Sequence, residues 1–150
     1  MTFSAQQLVV KISVSDMLRA QAFYEKILGF TTDRKYTINK GGNYATESYM
    51  QLNAPSSTEG AFTLGLYKDI NQTYTVMAQN GTVPSFIVKD IHATLRHFLE
   101  EKVAVQPVGK AHEQPEYIIE NKSDDGYIDL FFFFCDPDNN ALVIRQNLKK

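Results

Sequence analysis

The sequence predicts an α+β fold made from one supersecondary unit used twice, and three observations carry this. The word Val-x-Asp at Val14 to Asp16 returns at Val88 to Asp90, 74 positions later in a chain of 150 residues. Each copy follows a short β-branched run and precedes an apolar stripe at three- and four-residue spacing, so each half opens with a strand and a helix. The first half then continues with three strand-like segments and the second with four, punctuated by Gly, Pro, Asn and Asp. A repeat of half the chain length constrains the architecture more than any single element does. One domain is expected, with a first βαβββ module over about residues 1–75 and a second over about 76–150.

The first module begins with Leu8 to Val14, whose branched residues suit a strand, and Ser15-Asp16 offers a cap for a helix from Met17 to Leu28. Ala20, Phe23, Tyr24 and Ile27 form its apolar stripe and Gly29 its stop. Thr31 to Tyr44 holds a further strand, interrupted by Gly41-Gly42. Ala45 to Leu52 and Ala61 to Tyr67 read as strands joined by a Pro, Ser and Gly loop. After a turn at Asn80-Gly81 the second module repeats the order. Val83 to Val88 is strand-like, Asp90 is the cap, and Ile91, Leu95, Phe98 and Leu99 make the helical stripe. Val103 to Val108, Tyr117 to Glu120 and Tyr127 to Cys135 follow as strands, the first two separated by a polar loop, the last two by a turn at Ser123 to Gly126. A tight turn at Asp136 to Asn140 leads to the last strand, Ala141 to Gln146.

Composition narrows the function classes. The chain is 43% hydrophobic and 12% aromatic, enough for a packed core without tryptophan. Fifteen basic against 17 acidic side chains give a formal charge of -2, which leaves no electrostatic footprint for nucleic acid or an anionic membrane. The longest apolar run, Leu130 to Cys135, falls far short of the ~20 residues a membrane helix needs. Met1 to Gln7 lacks the basic and apolar regions of a leader, and the single cysteine, Cys135, cannot form an internal disulfide. A cytoplasmic protein is expected. The two Asn-x-Thr triplets, at Asn71 and Asn80, therefore carry no functional reading.

The words VKISVSDMLRAQAFYEKILGF, FIVKDIHATLRHFLEEKV and FFFFCDPDNNALVIRQ, in this order, resemble the vicinal-oxygen-chelate superfamily of glyoxalases, bleomycin-resistance proteins and ring-cleaving dioxygenases. The resemblance covers nearly the whole chain. It implies a cupped eight-stranded sheet with helices outside, often in a homodimer. It also implies a divalent ion inside the cup, held by His and Glu side chains of four strands and chelated by two adjacent substrate oxygens. Carried over residue by residue, the ligand positions fall on Val9, Val83 and Val143 and near Gly65, none of which offers an N or O donor. No metal and no cofactor are therefore expected. The favoured function is sequestration of a small organic molecule. Two others stay open: an enzyme of the superfamily acting without the usual ion, with Lys11, Tyr67 or Asp129 as acid or base, and an interaction module whose cup is filled.

The remaining metal-capable residues do not rebuild a site. His92 and His97, five apart on a helix, point to different sides, and His112 sits in a polar loop; all three read as solvent-facing. Cys135 reads as a strand-end hydrophobe. Phe131 to Phe134 reads first as a strand buried on both faces, and otherwise as a cavity wall made of alternate members. Period-two alternation from Val9 puts Lys11 and Ser13 inward and Val10, Ile12 and Val14 against the helix. The same parity turns inward Thr63, Gly65 and Tyr67, then Val83, Ser85 and Ile87, then Ala141, Val143 and Arg145. Asp129, Phe131 and Phe133 turn inward by resemblance. The candidate ligand-binding set is Lys11, Tyr67, Ser85, Asp129, Phe131, Phe133 and Arg145. Two inward cations against one acid predict a ligand with an aromatic or apolar body and an anionic end, unless both stems carry their charge out to solvent.

Overall fold

The computed structural model of the chain describes residues 9–55, 62–68, 83–109, 115–123 and 127–148. The Asn80-Gly81 turn, His112 and most of the loop before Thr63 lie outside them, as do residues 124–126 of the second polar turn. The chain divides into two compact units, Met1–Gln79 and Asn80–Lys150.

The first unit runs β1 (Val9–Ser13), α1 (Met17–Leu28), β2 (Thr31–Ile38), β3 (Tyr49–Asn53) and β4 (Thr63–Tyr67). Its sheet has the order β1-β4-β3-β2, with β1 parallel to β4 and the other pairs antiparallel. The second runs β5 (Ser85–Ile87), α2 (Ile91–Glu100), β6 (Ala104–Val105), β7 (Ile119–Lys122), β8 (Ile128–Cys135) and β9 (Ala141–Leu148). Its order is β5-β9-β8-β6, with β7 also on β8. Because β9 pairs along all of β8, β6 and β7 must share the other edge, at Phe134–Cys135 and Ile128–Phe131 respectively. Together they take the place β2 has in the first unit. The repeat therefore appears as a four-stranded and a five-stranded sheet, each with one helix.

Both repeated aspartates are helix caps. Asp16 Oδ1 accepts from the Leu18 and Arg19 amides at 3.0 Å, and Asp90 Oδ1 from the Ala93 amide at 2.9 Å. A residue silent in the sequence reinforces the second cap: Gln146 of β9 accepts from the Ile91 amide at 3.0 Å and donates to the Lys89 carbonyl at 2.6 Å. α1 stops at Gly29, whose φ of 72° only glycine adopts without strain. The buried residues of the sheet faces against the helices are apolar. Ile12, Val14, Met50, Leu52, Leu64 and Leu66 are buried in the first unit, and Phe86, Leu130, Phe132, Phe134, Leu142 and Ile144 in the second.

Several expected boundaries and faces move, for local reasons. β3 begins at Tyr49 rather than Ala45, because Ser48 closes a loop: its hydroxyl donates to the Ala45 carbonyl at 2.6 Å and accepts from the Lys40 amide at 3.1 Å. β5 shortens to three residues after Pro84, which has no N–H for a ladder. Val83 thus precedes the strand and is exposed. β6 likewise stops short of Pro107, and β7 starts at Ile119 rather than Tyr117. Leu99, at the edge of the α2 stripe, is 42% exposed, so the buried positions of that helix are Ile91 and Phe98. His97 is half-buried with its ring edge-on to Phe98, which corrects its solvent-facing reading; His92 is exposed. The strand expected to be buried on both faces alternates instead. Phe132 and Phe134 are fully buried, while Phe131, Phe133 and Cys135 are partly exposed on the other face.

One surface carboxylate links packing to pH. Glu25 of α1 accepts from the Thr32 hydroxyl at 2.6 Å and from the Gln21 amide at 3.1 Å. These bonds, the Thr32 one first, hold its carboxyl below the ordinary value against a smaller opposing effect of burial. A depressed folded value means stabilisation present in full above the ordinary carboxylate range and lost as pH falls through the folded value. Glu25→Gln is expected to flatten the acid limb of a stability-against-pH profile measured by denaturant unfolding, and an unchanged limb would contradict this.

Candidate functional site

Each sheet has a second face, turned away from its helix, and the pairing fixes which residues meet there. In the first unit Lys11, Gly65 and Gln51 are lateral neighbours on β1, β4 and β3, and Ser13, Tyr67 and Tyr49 form the next row. In the second unit the corresponding rows are Ser85, Val143 and Phe133, then Ile87, Arg145 and Phe131. Lys11 and Ser85, 74 positions apart, hold equivalent places in the repeat.

The open face of the second unit carries a cavity of about 230 Å³ lined by Ser85, Asn121, Asp129, Phe131, Phe133, Val143 and Arg145. Phe131 and Phe133 meet edge to face with centroids 5.8 Å apart, leaving a ring surface of each along the cavity. Arg145 and Asp129 form a two-point ion pair, Nη2 to Oδ2 at 2.6 Å and Nε to Oδ1 at 3.2 Å. Their side chains are 38% and 15% exposed, so the carboxylate is the more sheltered member. This hydrogen-bonded partner raises the guanidinium pKa further above its ordinary value, and it fixes the planar head in one orientation. The expectation that Asp129 would satisfy one of two inward cations thus resolves onto Arg145.

On the first unit's open face the Lys11 ammonium lies 4.8 Å from the Tyr67 ring centroid and 5.9 Å from that of Tyr49. Gly65 explains why Tyr49 can lie there. A Cβ added at Gly65 would stand 2.6 Å from the Tyr49 ring, so the ring occupies the space a side chain would need. Burial raises the Tyr49 phenol above its ordinary pKa, which keeps it a neutral donor at neutral pH. Gly65→Ala is expected to push this ring off the strand toward water, so that spectrophotometric titration finds a phenol pKa closer to normal.

Five of the seven candidate residues, Ser85 and Arg145 named from parity and Asp129, Phe131 and Phe133 from the resemblance, line one cavity, whereas Lys11 and Tyr67 belong to the first unit. Sequence reasoning missed Tyr49, Gln51 and Asn121. A glycine inside a strand marks a close approach, so Gly65 could have pointed to Tyr49 had β3 been placed in register. Asn121 escaped because β7 was expected to end at Glu120. A second cleft, of about 490 Å³, lies among His92 and Leu95 of α2, the segment Pro115–Ile118, Glu120 and Leu130. It sits on the helix side of β8, and Glu120 at its rim is already ion-paired with Lys122 at 2.8 Å.

With this geometry in place, comparison decides the family. The sequence profile of the Glyoxalase/Bleomycin resistance protein/Dioxygenase superfamily matches residues 6–144. The chain belongs to this superfamily. No curated protein sequence matches it. Among solved structures, the genomically encoded fosfomycin resistance protein FosX of Listeria monocytogenes is 10% identical, with a TM-score of 0.59 over 99% of this chain and 96% of that one. A virulence protein of Salmonella typhimurium is 19% identical, with a TM-score of 0.56 over 99% and 100% of the two chains. Lactoylglutathione lyase of Agrobacterium tumefaciens is 14% identical, with a TM-score of 0.52 over 97% and 96%. At these identities the likeness shows the fold alone.

The residues that the resemblance puts at the superfamily's ligand positions offer an ion little. Val143 is a buried valine flanked by Ser85 and Phe133, and Val9 pairs with Thr63. Valine methyl groups have no lone pair to give an ion. At Gly65 the space for any ligand side chain is filled by Tyr49. Among the described residues no group of three or more His, Cys, Asp and Glu side chains gathers to hold an ion. The residues at these positions do not fit the superfamily's metal. No described helix is long and apolar enough to cross a membrane.

Proposed function

We propose that the chain is a metal-independent binding protein for a small organic molecule, seated in the cavity on the open face of its second unit. The observation that carries this reading is the composition of that cavity. Two half-exposed phenylalanines and a valine form an apolar floor, and Ser85, Asn121 and the Asp129–Arg145 pair supply a few polar groups at fixed positions. Small-molecule sites combine such a floor with such a sparse polar set. At about 230 Å³ the cavity is smaller than the usual drug-sized site, so the occupant is a compact body of about one ring.

Arg145 brings no free charge to this occupant, because Asp129 neutralises it; the remaining guanidinium donors and the Ser85 and Asn121 groups favour a neutral polar end. The sequence-based expectation of an anionic end therefore does not apply to this cavity. A superfamily enzyme working without the usual ion is the less supported reading, because within this cavity the carboxylate is committed to the ion pair. The same reading takes the protein as a cytoplasmic homodimer, since a two-fold is the commonest closure for soluble chains. Sedimentation at a mass near the single chain's 17.0 kDa would count against the dimer.

A thermal-shift screen of compact cyclic alcohols, amides and phenols tests the binding claim, because a ligand selective for the folded state raises the unfolding temperature by mass action. At least one compound is expected to stabilise the parent, and Phe133→Ala, which enlarges the floor at a partly exposed position, is expected to abolish the shift. A hit whose shift survives Phe133→Ala, or a screen without a hit, contradicts the proposal.

A further inference from the structure

We propose that Lys11, Gln51 and Tyr49 form an anion site on the open face of the first unit, suited to the carboxylate end of a small organic acid. Lys11 and Gln51 flank Gly65 on neighbouring strands, so a cation and an amide face each other with no side chain between them, and the row continues past Gln51 to Asp33 of β2. Tyr49 spans the gap, its hydroxyl 3.4 Å from the Gln51 Oε1 and its ring against Gly65.

Two observations point to a ligand. Gln51 is 92% buried, being 8% exposed, yet its amide nitrogen has no hydrogen-bond partner among the described residues. Nor is this NH₂ fully enclosed, so it keeps access to a molecule arriving from outside. Independently, the Lys11 ammonium rests over two tyrosine rings and is paired with no carboxylate among the described residues, in contrast to Arg145 in the other unit. The acid of the same cross-strand row, Asp33, stands beside Gln51 and three strands from Lys11, roughly 14 Å at the usual strand spacing, so its pull on the ammonium is largely screened. Its oxygens already accept from the Asn53 amide at 3.1 Å and the Lys35 backbone at 3.0 Å.

The ring faces attract the ammonium and hold it near the sheet, so part of the entropy of ordering a long side chain is spent before a ligand arrives. The ammonium and the amide are donors of the kind an oxyanion accepts from, and the Tyr49 phenol, which stays protonated and donates to the Gln51 Oε1, orients that amide. A single positive charge matches a carboxylate, whereas a phosphate dianion would call for a second cation.

The test is a heteronuclear NMR titration of the full chain with benzoate, with benzamide as the neutral isostere and inorganic phosphate as the competing anion. Benzoate is expected to give saturable shifts at the Lys11, Gln51 and Gly65 amides, and benzamide none. Affinity should fall about tenfold or more in Lys11→Met, the loss of one charge-assisted hydrogen bond, and be largely kept in Lys11→Arg. Lys11 is exposed, so neither variant touches the core. Equal affinity in Lys11→Met, phosphate binding more tightly than benzoate, or shifts confined to Ser85, Phe131 and Arg145 would overturn this site; the last result would leave the cavity reading standing.

Discussion

Phe132→Ala is expected to destabilise the protein by about 3–5 kcal/mol, and Phe131→Ala, one residue earlier on the same strand, by about 1 kcal/mol or less. The difference rests on which side of the sheet each ring takes. Phe132 is wholly buried and packs edge-on against Phe98 of α2 at 5.6 Å, with Phe134 beside it at 6.5 Å. Truncating it removes ring contacts and leaves a cavity that the close-packed helix and strands cannot collapse. Phe131 is partly exposed on the cavity side, so its loss forfeits only part of a transfer free energy. Urea unfolding of the two variants measures this directly. Equal losses would mean that the strand is buried on both faces and that the open face is core.

The second large effect is expected at the turn between β8 and β9. Asp136 is 4% exposed; its Oδ1 accepts from the Asp138 and Asn140 backbone amides at 2.9 Å, and its Oδ2 from the Asn140 side-chain amide at 2.9 Å. The Asp-Pro-Asp-Asn-Asn word is thus a turn closed by its own first carboxylate, with Asn139 taking the left-handed backbone at φ 64°. Asp136→Ala removes the acceptor for two backbone donors and should cost about 2–4 kcal/mol. Asp136→Asn, which keeps one carbonyl acceptor, should cost clearly less. The comparison is read from denaturant midpoints, and two variants of equal stability would show that the carboxylate does not organise the turn. The turn also sets the β8–β9 register that brings Phe133 beside Val143 and Phe131 beside Arg145, so its loss is expected to disturb the cavity.

The parts of this protein that could be read from its sequence are those fixed by local chemistry. Asp16 and Asp90 announce helix caps because a carboxylate before an apolar stripe has amide donors within reach, and both serve in that role. Alternation along β1 separates Ile12 from Lys11 because a pleated strand leaves no other choice, and the same rule picked Ser85 and Arg145, which share one cavity with the Asp129, Phe131 and Phe133 that the resemblance supplied. Illegible features depend on partners distant in sequence. Nothing near Tyr49 tells that its ring crosses Gly65, nothing near Gln146 that it ties β9 to α2, and nothing near Phe131 that its neighbours Phe132 and Phe134 alone meet α2. Prolines 84 and 107 were visible, yet how far each would shorten its strand depended on the ladder beside it. The pairing of Arg145 with Asp129 was one of two options that charge counting allowed, and cross-strand geometry chose between them: Arg145 stands opposite Phe131, diagonal to Asp129.

We propose that this superfamily member binds a small molecule without the divalent ion. Elemental analysis of the purified chain, after incubation with nickel, zinc, manganese and iron salts and removal of the excess, tests it most directly. No stoichiometric ion is expected, because Val9, Val143 and the ring-filled space at Gly65 offer no donor. A stoichiometric ion that survives desalting and is lost when an open-face residue such as Asp129 is replaced would contradict it.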